Sequence, residues 1–273
     1  MLRTPGWHLL IVWYFFLGGI AGGAYVTATI ADNFGSVRDR AVIRVGYVLA
    51  LLMVMVCGML LILDLGVPAR FLNMLGTFKF SDPMSIGAWM LGAFGAFTFI
   101  SSVLSLSGNP GAARLRRRLS LIGAIGGFFL ASYTGVLLSN SALPFWSQAR
   151  LMGALFLASG ASTGMAAISL LLFLSGETAG EGWKKVKRAD RFAMMFELVV
   201  LAIFLIVLGS AASPITTGHL APLFWGGLIV IGLLVPLGLD LMGGRVKALG
   251  AMSAALVLVG GFILRYVIVM ANA

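Results

Sequence analysis

Four ionisable side chains lie within or at the ends of long apolar segments. Asp64 ends one segment, Glu197 and Asp240 lie in two others, and Arg265 lies in the last. An ionisable group at the centre of a bilayer costs roughly 2.5–3.5 kcal/mol on insertion scales. Each of these residues is therefore a candidate for moving protons or for binding a polar ligand.

Two further side chains can donate hydrogen bonds to a ligand. His8 lies at the start of the first apolar segment, and Tyr133 lies within the fourth beside Ser132 and Thr134. An imidazole and a phenol can both exchange a proton with a bound oxygen atom. They extend the set of candidate chemical residues to six.

The segments that hold these residues are long enough to cross a membrane. The chain is 60% hydrophobic and 10% charged, whereas soluble domains carry about 25% charged residues, so a soluble fold is excluded. Each segment can cross a hydrocarbon core of about 30 Å. The predicted spans are 7–31, 41–64, 85–106, 119–141, 148–174, 190–210, 222–241 and 245–270. We predict an all-α integral membrane protein whose 273 residues form one polytopic domain, with the first span retained rather than cleaved.

The distribution of basic residues predicts the orientation. Fourteen lysines and arginines fall on one set of loops and four on the other. Cytoplasmic loops carry the excess of positive charge, so both termini are predicted to be periplasmic. The net charge of +10 is explained by this topology and by contact with membrane lipids, and no stripe typical of nucleic-acid binding occurs.

This orientation predicts two groups of polar residues at different depths. Asp64, Arg265, Tyr133 and His8 fall in the outer half, while Glu197 and Asp240 are isolated acids of the inner half. Glu197 and Asp240 are candidates for a proton path from the cytoplasm.

Structural alternatives remain open for most of the group. His8 could be an interface anchor, Arg265 could extend its side chain outward, and Asp64 could pair with Arg70 across a tight turn. Asp240 could lie in the interface. Glu197 has no obvious cationic partner in the sequence.

Small residues spaced four apart suggest close helix packing. Gly18, Gly19, Gly22 and Gly23 occur in the first span, and Gly160 and Gly164 in the fifth. Such spacing lets helix backbones approach closely. A weak similarity between these two spans suggests a duplication that gives two four-helix bundles.

The sequence offers few ligands for a resident redox centre. Cys57 is the single cysteine, and the two histidines, His8 and His219, flank spans instead of facing each other within them. Neither haem nor a metal ion is expected on this chain.

Five motifs, in order along the chain, resemble the NrfD/polysulfide reductase membrane-subunit family. They are Trp13 to Tyr25 (WYFFLGGIAGGAY), Leu60 to Phe71 (LLILDLGVPARF), Ser81 to Trp89 (SDPMSIGAW), Tyr133 to Ser139 (YTGVLLS) with Pro144 to Trp146 (PFW), and Gly260 to Arg265 (GGFILR). The third motif is one residue longer than the family form.

The resemblance implies a quinone-binding membrane anchor of a respiratory oxidoreductase complex. Its expected partners are a periplasmic iron–sulfur subunit and a molybdopterin catalytic subunit, and a dimer of complexes is a further expectation. Electrons would pass between the nearest cluster and menaquinone or ubiquinone, in a bacterial or archaeal cytoplasmic membrane. The terminal substrate would be handled by another polypeptide.

The same resemblance assigns roles to individual residues. Tyr133 is the expected ligand of the quinone head group, with His8 beside it. Physical reasoning, and not the resemblance, adds the hypotheses that Asp64 relays protons and that Arg265 holds Asp64 ionised or stabilises charge on the head group. Two alternatives to this function are a secondary transporter and an anchor without quinone chemistry.

Overall fold

Eight long helices make up the part of the chain that the structure describes. The computed structural model describes residues 9–64, 83–107, 109–178, 180–242 and 246–271, and no β-strand occurs in these ranges. The helices are α1 (Leu9–Phe34), α2 (Arg40–Asp64), α3 (Pro83–Leu106), α4 (Pro110–Ser139), α5 (Met152–Leu174), α6 (Glu181–Leu208), α7 (Leu223–Leu234, continuing as Val235–Met242) and α8 (Lys247–Met270). All eight have the length and apolar composition needed to cross a membrane, which confirms the predicted number of spans and the multi-pass class.

Two helices begin more than two turns before their predicted starts. α4 starts at Pro110 instead of 119, and α6 starts at Glu181 instead of 190. Clustered basic residues lower the hydropathy there without breaking the helix. At α4 the side chain of Asn109 accepts a hydrogen bond from the Gly111 N–H at 2.8 Å, and Pro110 occupies the first helical position. The predicted long connection over 175–189 was therefore wrong, because α6 covers most of it.

α1 and α5 cross in direct backbone contact at the centre of the bundle. A Cβ atom added to Gly23 would overlap the carbonyl oxygen of Gly160, and one added to Gly164 would lie 2.5 Å from the nitrogen of Ala24. Around this pair, α1 packs against α2 and α4, while α5 packs against α4, α6 and α8. The close packing expected from the glycine spacing is confirmed.

A buried ion pair joins α1 to α4 near the end of the bundle where α2, α4, α6 and α8 begin, which we call the basic end. Arg116 donates from Nε and Nη2 to the two carboxylate oxygens of Asp32, at 2.6 and 2.8 Å. Tyr47 of α2 donates to the same carboxylate at 3.3 Å. This bidentate pair fixes three helices relative to one another.

A second ionic contact holds the short connection between α1 and α2 against α6. Asp39 accepts hydrogen bonds from the Ser36 N–H at 2.7 Å and from Lys185 Nζ at 2.8 Å. Burial alone would raise the pKa of Asp39, but these donors outweigh it and hold the pKa below its ordinary value. The contact is therefore expected to persist at all but strongly acidic pH.

The α1–α5 contact predicts that Gly164→Ala destabilises the protein. The added methyl group meets backbone atoms of Gly23 and Ala24, which cannot rotate away. Overpacking of this kind costs about 1–3 kcal/mol. Thermal unfolding of the detergent-solubilised protein should shift to lower temperature by several degrees.

Gly58→Ala is the matched control, because a Cβ atom at Gly58 of α2 meets nothing within 4 Å. It should leave the unfolding temperature unchanged or raise it slightly, since alanine favours a helix. Equal unfolding temperatures for the two variants would contradict the close contact of α1 with α5.

Candidate functional site

Tyr133 lies in a closely fitted aromatic niche between α3 and α4. Its ring stacks on Phe129 with centroids 5.3 Å apart, and only 8% of the residue is exposed. A Cβ atom at Gly87 of α3 would lie 2.6 Å from the Tyr133 hydroxyl oxygen. The glycine therefore makes room for the phenol, and it brings two of the sequence motifs together in space.

A second tyrosine, which sequence analysis did not single out, lies close to Tyr133. Tyr14 of α1 is buried and near enough to Tyr133 and Cys57 to interact with both electrostatically. The Cys57 thiol of α2 donates to the carbonyl oxygen of Tyr14 at 3.6 Å. Four helices thus converge on this niche, which combines two phenols with apolar walls.

Of the other predicted outer residues, Asp64 is the last residue of its described range and His8 lies outside the described residues. Asp64 is the last residue of α2, two turns beyond Cys57, and is partly exposed. His8 and Arg70 lie outside the described residues. The predicted contacts of His8 with Tyr133 and of Asp64 with Arg70 stay predictions.

Arg265 is fully buried among α1, α5 and α8 instead of extending outward. Its guanidinium donates to the Ser159 hydroxyl, to the Gly261 carbonyl at 3.0 Å and to the Phe156 carbonyl at 3.2 Å. It also lies over the Phe156 ring, 5.2 Å from the centroid. The alternative of an outward-reaching side chain was wrong. Among the residues that the structure describes, its hydrogen bonds go to these groups and not to Asp64.

Glu197 lies near Arg265 and is held by a serine hydroxyl. Ser162 donates to its carboxylate at 2.5 Å. The Ser159 hydroxyl, which accepts from Arg265, lies close enough to Glu197 to act on its carboxylate, so it stands between the acid and the guanidinium. Gly19 of α1 faces the Arg265 Nη2 atom, and a Cβ atom there would lie 2.9 Å from it. Glu197 forms no salt bridge with another described residue, and Arg265 acts on it from across the Ser159 hydroxyl.

Asp240 also belongs to a buried cluster, at the basic end. Lys187 Nζ lies 3.0 Å from one oxygen of Asp240 and 3.5 Å from one oxygen of Asp190, and it donates to Ser253 at 3.4 Å. Arg191 donates to the Asp240 carbonyl at 2.6 Å. Asp240 is 6% exposed and is not isolated, and whether it lies in the membrane interface stays a prediction.

The buried polar groups on α5, α6, α7 and α8 follow one another along the bundle, and we call them the column. Asp190 and Glu197 are seven residues apart on one face of α6, which corresponds to about 10 Å along the helix. Gly19, which contacts Arg265, lies about 7–8 Å along α1 from Tyr14. From the basic end, the order is therefore the Lys187 cluster, Glu197 with Arg265, and then the tyrosine niche.

The column contains polar atoms that the described protein atoms leave unsatisfied. The Arg265 Nε atom and one oxygen of Asp190 are buried and have no hydrogen-bond partner among the described residues. Buried polar groups of this kind are usually satisfied by bound water. A cavity of about 480 Å³, lined by Lys187 and Asp240 among others, opens onto the column at the basic end.

Sequence reasoning missed four residues of this arrangement. Lys187 and Asp190 were assigned to a loop or to its edge, because hydropathy hid the start of α6. A seven-residue spacing of Asp190 and Glu197 was visible in the sequence and would have indicated one helical face. Nothing in the sequence singled out Ser159, and Tyr14 was visible only as part of a motif.

Eight apolar helices enclose buried acids, a buried arginine and two phenols. This arrangement defines a polytopic membrane protein with an internal polar site. The family model described as "Polysulphide reductase, NrfD" matches residues 3–273. The chain belongs to this family, as the five motifs predicted. Members of the family are membrane subunits of polysulfide reductase-type oxidoreductase complexes and are associated with quinone, and catalysis of the terminal reaction lies on another subunit.

Two curated relatives support the assignment over nearly the full length. The C subunit of polysulfide reductase from Wolinella succinogenes is 30% identical, covering 99% of this protein and 95% of the relative. The Protein NrfD homolog of Haemophilus influenzae is 26% identical, covering 86% of this protein and 84% of the relative. Because the protein belongs to this family, the alternative prediction of a secondary transporter is not supported. Among the residues that the structure describes, no group of three histidine, cysteine or acidic side chains could hold a metal ion.

The proximity of Arg265 and Glu197, with the Ser159 hydroxyl between them, predicts energetic coupling between these two residues. Arg265→Gln leaves an uncompensated buried carboxylate, so it should destabilise the protein by about 3–5 kcal/mol. Adding Glu197→Gln should recover about 0.5–3 kcal/mol of that loss. A double-mutant cycle on the unfolding of the solubilised protein measures this coupling.

Arg265→Gln combined with Asp32→Asn is the control cycle, because Asp32 pairs with Arg116 in a different network. These two changes should be additive within about 0.5 kcal/mol. Additivity of the Arg265 and Glu197 changes would contradict this coupling.

Proposed function

We propose that this protein binds a quinone in the tyrosine niche and passes electrons between it and an iron–sulfur partner subunit. The observation that carries the proposal is the fit of Tyr133 against Gly87, which joins two family motifs around one phenol hydroxyl. Family membership supports the redox role, and a niche of uncharged donors within apolar walls suits a neutral head group.

The donor set fits a quinone in its chemistry. A bound quinone supplies two-electron, two-proton redox chemistry between a carbonyl and a hydroxyl form. The Tyr133 hydroxyl would hold one oxygen of the head group, with Tyr14 close enough to assist. His8 is proposed as a second ligand, and Asp64, at the end of α2, as the group that relays protons from the outer side.

The orientation of the protein is proposed from charge. The basic end would face the cytoplasm of a bacterium or archaeon, and both termini and the tyrosine niche would lie toward the periplasm. The iron–sulfur and molybdopterin subunits would dock on that outer side. The two four-helix halves, α1–α4 and α5–α8, would then carry the quinone niche and the proton column respectively.

The column of α6 is proposed as a proton path from the basic end toward the niche. Asp240 and Asp190 would exchange protons with the aqueous cavity beside Lys187. Glu197 would carry the proton to the Ser159 hydroxyl next to Arg265, whose fixed charge stabilises the deprotonated acid. Uptake of protons from one side and reaction near the other would make turnover electrogenic.

Tyr133→Phe should reduce quinone-coupled turnover of the purified complex by about 10²–10⁴-fold, which is the usual contribution of a positioned proton donor. Gly87→Ala should also lower turnover, because the added methyl group displaces the phenol. Assembly with partner subunits is followed by copurification. Turnover of reduced quinone by the complex is the measurement.

Gly92→Ala provides the matched control, because it lies on the same helix and meets nothing within 4 Å. It should keep full turnover. If Tyr133→Phe keeps full turnover in an assembled complex, the assignment of Tyr133 is wrong. A complex that assembles but binds no quinone would favour an anchor without quinone chemistry.

Glu197→Gln should abolish or strongly reduce the membrane potential that quinone turnover generates in proteoliposomes, and Asp190→Asn should do the same. The amide retains the size of each side chain but cannot carry a proton along the column. Glu181→Gln, an exposed change on the same helix, should leave the potential unchanged. A wild-type potential per turnover in both buried variants would show that protons enter from the outer side.

A further inference from the structure

A cavity rich in arginine lies at the basic end, away from the tyrosine niche and from the α6 column. It has a volume of about 590 Å³ and opens between the starts of α2 and α4 and the end of α3. Five arginines line it, and Glu177 is the one acidic residue among its lining groups in the described residues. The arginines are Arg40, Arg44, Arg114, Arg116 and Arg117.

The positive charge of this cavity is only partly balanced by the protein. Arg116 and Arg117 share a single carboxylate, that of buried Asp32, with shortest distances of 2.6 and 3.4 Å. Arg40, Arg44 and Arg114 form no ion pair with another described residue. A concentration of guanidinium groups that exceeds its internal carboxylates favours binding of an external anion.

The position and shape of the cavity indicate which anion fits. Guanidinium groups bind phosphate oxygens through paired N–H donors. The N-terminus of α4 adds the positive end of a helix dipole. Ile43, Leu104 and Leu106 give the cavity an apolar wall on α2 and α3, and Leu106 is 53% exposed.

We propose that this cavity binds the phosphate groups of an anionic phospholipid. The arginines would hold the phosphodiester groups at the level where spanning helices end, and the acyl chains would lie along the apolar wall between α2 and α3. Basic pockets between membrane helices are the usual recognition site for such head groups. The proposal does not depend on quinone binding by the tyrosine niche.

A bound lipid would also help to hold α2 and α4 together at this end. Asp32 lies on α1, Arg40 and Arg44 on α2, and Arg114 on α4. A phospholipid bound to the last three would bridge α2 and α4 next to the Asp32–Arg116 pair. Binding should therefore raise the thermal stability of the protein as well as occupy the cavity.

The test compares the double variant Arg44→Gln/Arg114→Gln with Arg38→Gln/Arg118→Gln. Both remove two positive charges from the same end, but Arg38 and Arg118 do not line the cavity. Each full-length protein, with any subunits that copurify, is delipidated in detergent. It is then titrated with tetraoleoyl cardiolipin, with dioleoyl phosphatidylcholine or with inorganic phosphate, and native mass spectrometry and the unfolding temperature report binding.

Wild type and the Arg38/Arg118 variant should bind cardiolipin with a rise in unfolding temperature. Since each basic residue near a membrane surface contributes about fivefold in affinity, the Arg44/Arg114 variant should bind it about thirtyfold more weakly. Phosphatidylcholine and inorganic phosphate should give neither effect.

Two results would overturn the proposal. Equal weakening in both double variants would show that binding follows bulk charge and not this cavity. Saturable binding of inorganic phosphate that prevents cardiolipin binding, with the same stabilisation, would assign the cavity to a free anion. The unfolding temperature of the Arg44/Arg114 variant without lipid shows whether that variant is destabilised. If it is, Arg44→Lys serves as a variant that keeps the charge, and it should retain most of the cardiolipin binding.

Discussion

The backbone contact between α1 and α5 determines where the buried groups Arg265 and Ser159 can lie. Gly23 touches the Gly160 carbonyl and Gly164 touches Ala24, so the two helices approach without intervening side chains. This separation leaves Gly19 facing the guanidinium of Arg265, which a larger residue would displace. The same contact brings Ser159 to the face shared by α6 and α8. Small residues at the centre thus create the space in which charge can be buried.

Charged groups are stable within this apolar bundle because side chains of neighbouring helices bind them. Arg265 has hydroxyl and carbonyl acceptors and an aromatic face, and Glu197 accepts from the Ser162 hydroxyl. Asp32 is held by Arg116 and Tyr47. A buried charge that loses its partner costs several kcal/mol, so these networks constrain the helix positions strongly. The polar groups therefore contribute to a unique arrangement of helices as well as to chemistry.

The sequence predicted the helices well and the polar networks less well, for a physical reason. Bilayer thickness imposes a minimum length on each apolar run, so eight spans could be counted from composition alone. Tyr133 could be singled out because a motif surrounds it. The partners of Arg265 could not be predicted, because they depend on how α5, α6 and α8 are rotated and shifted against one another. Lys187 was assigned to a loop, since hydropathy cannot distinguish a basic loop from the charged first turns of a helix.

The central contact also has a consequence for the order of assembly during synthesis. Gly23 belongs to the first helix that enters the membrane, whereas Gly164 belongs to the fifth. At ordinary translation rates, Gly164 is made on the order of ten seconds after Gly23. The contact between α1 and α5 can therefore form only after α5 has been made, whereas the contacts of α1 with α2 and α4 involve helices that are made earlier.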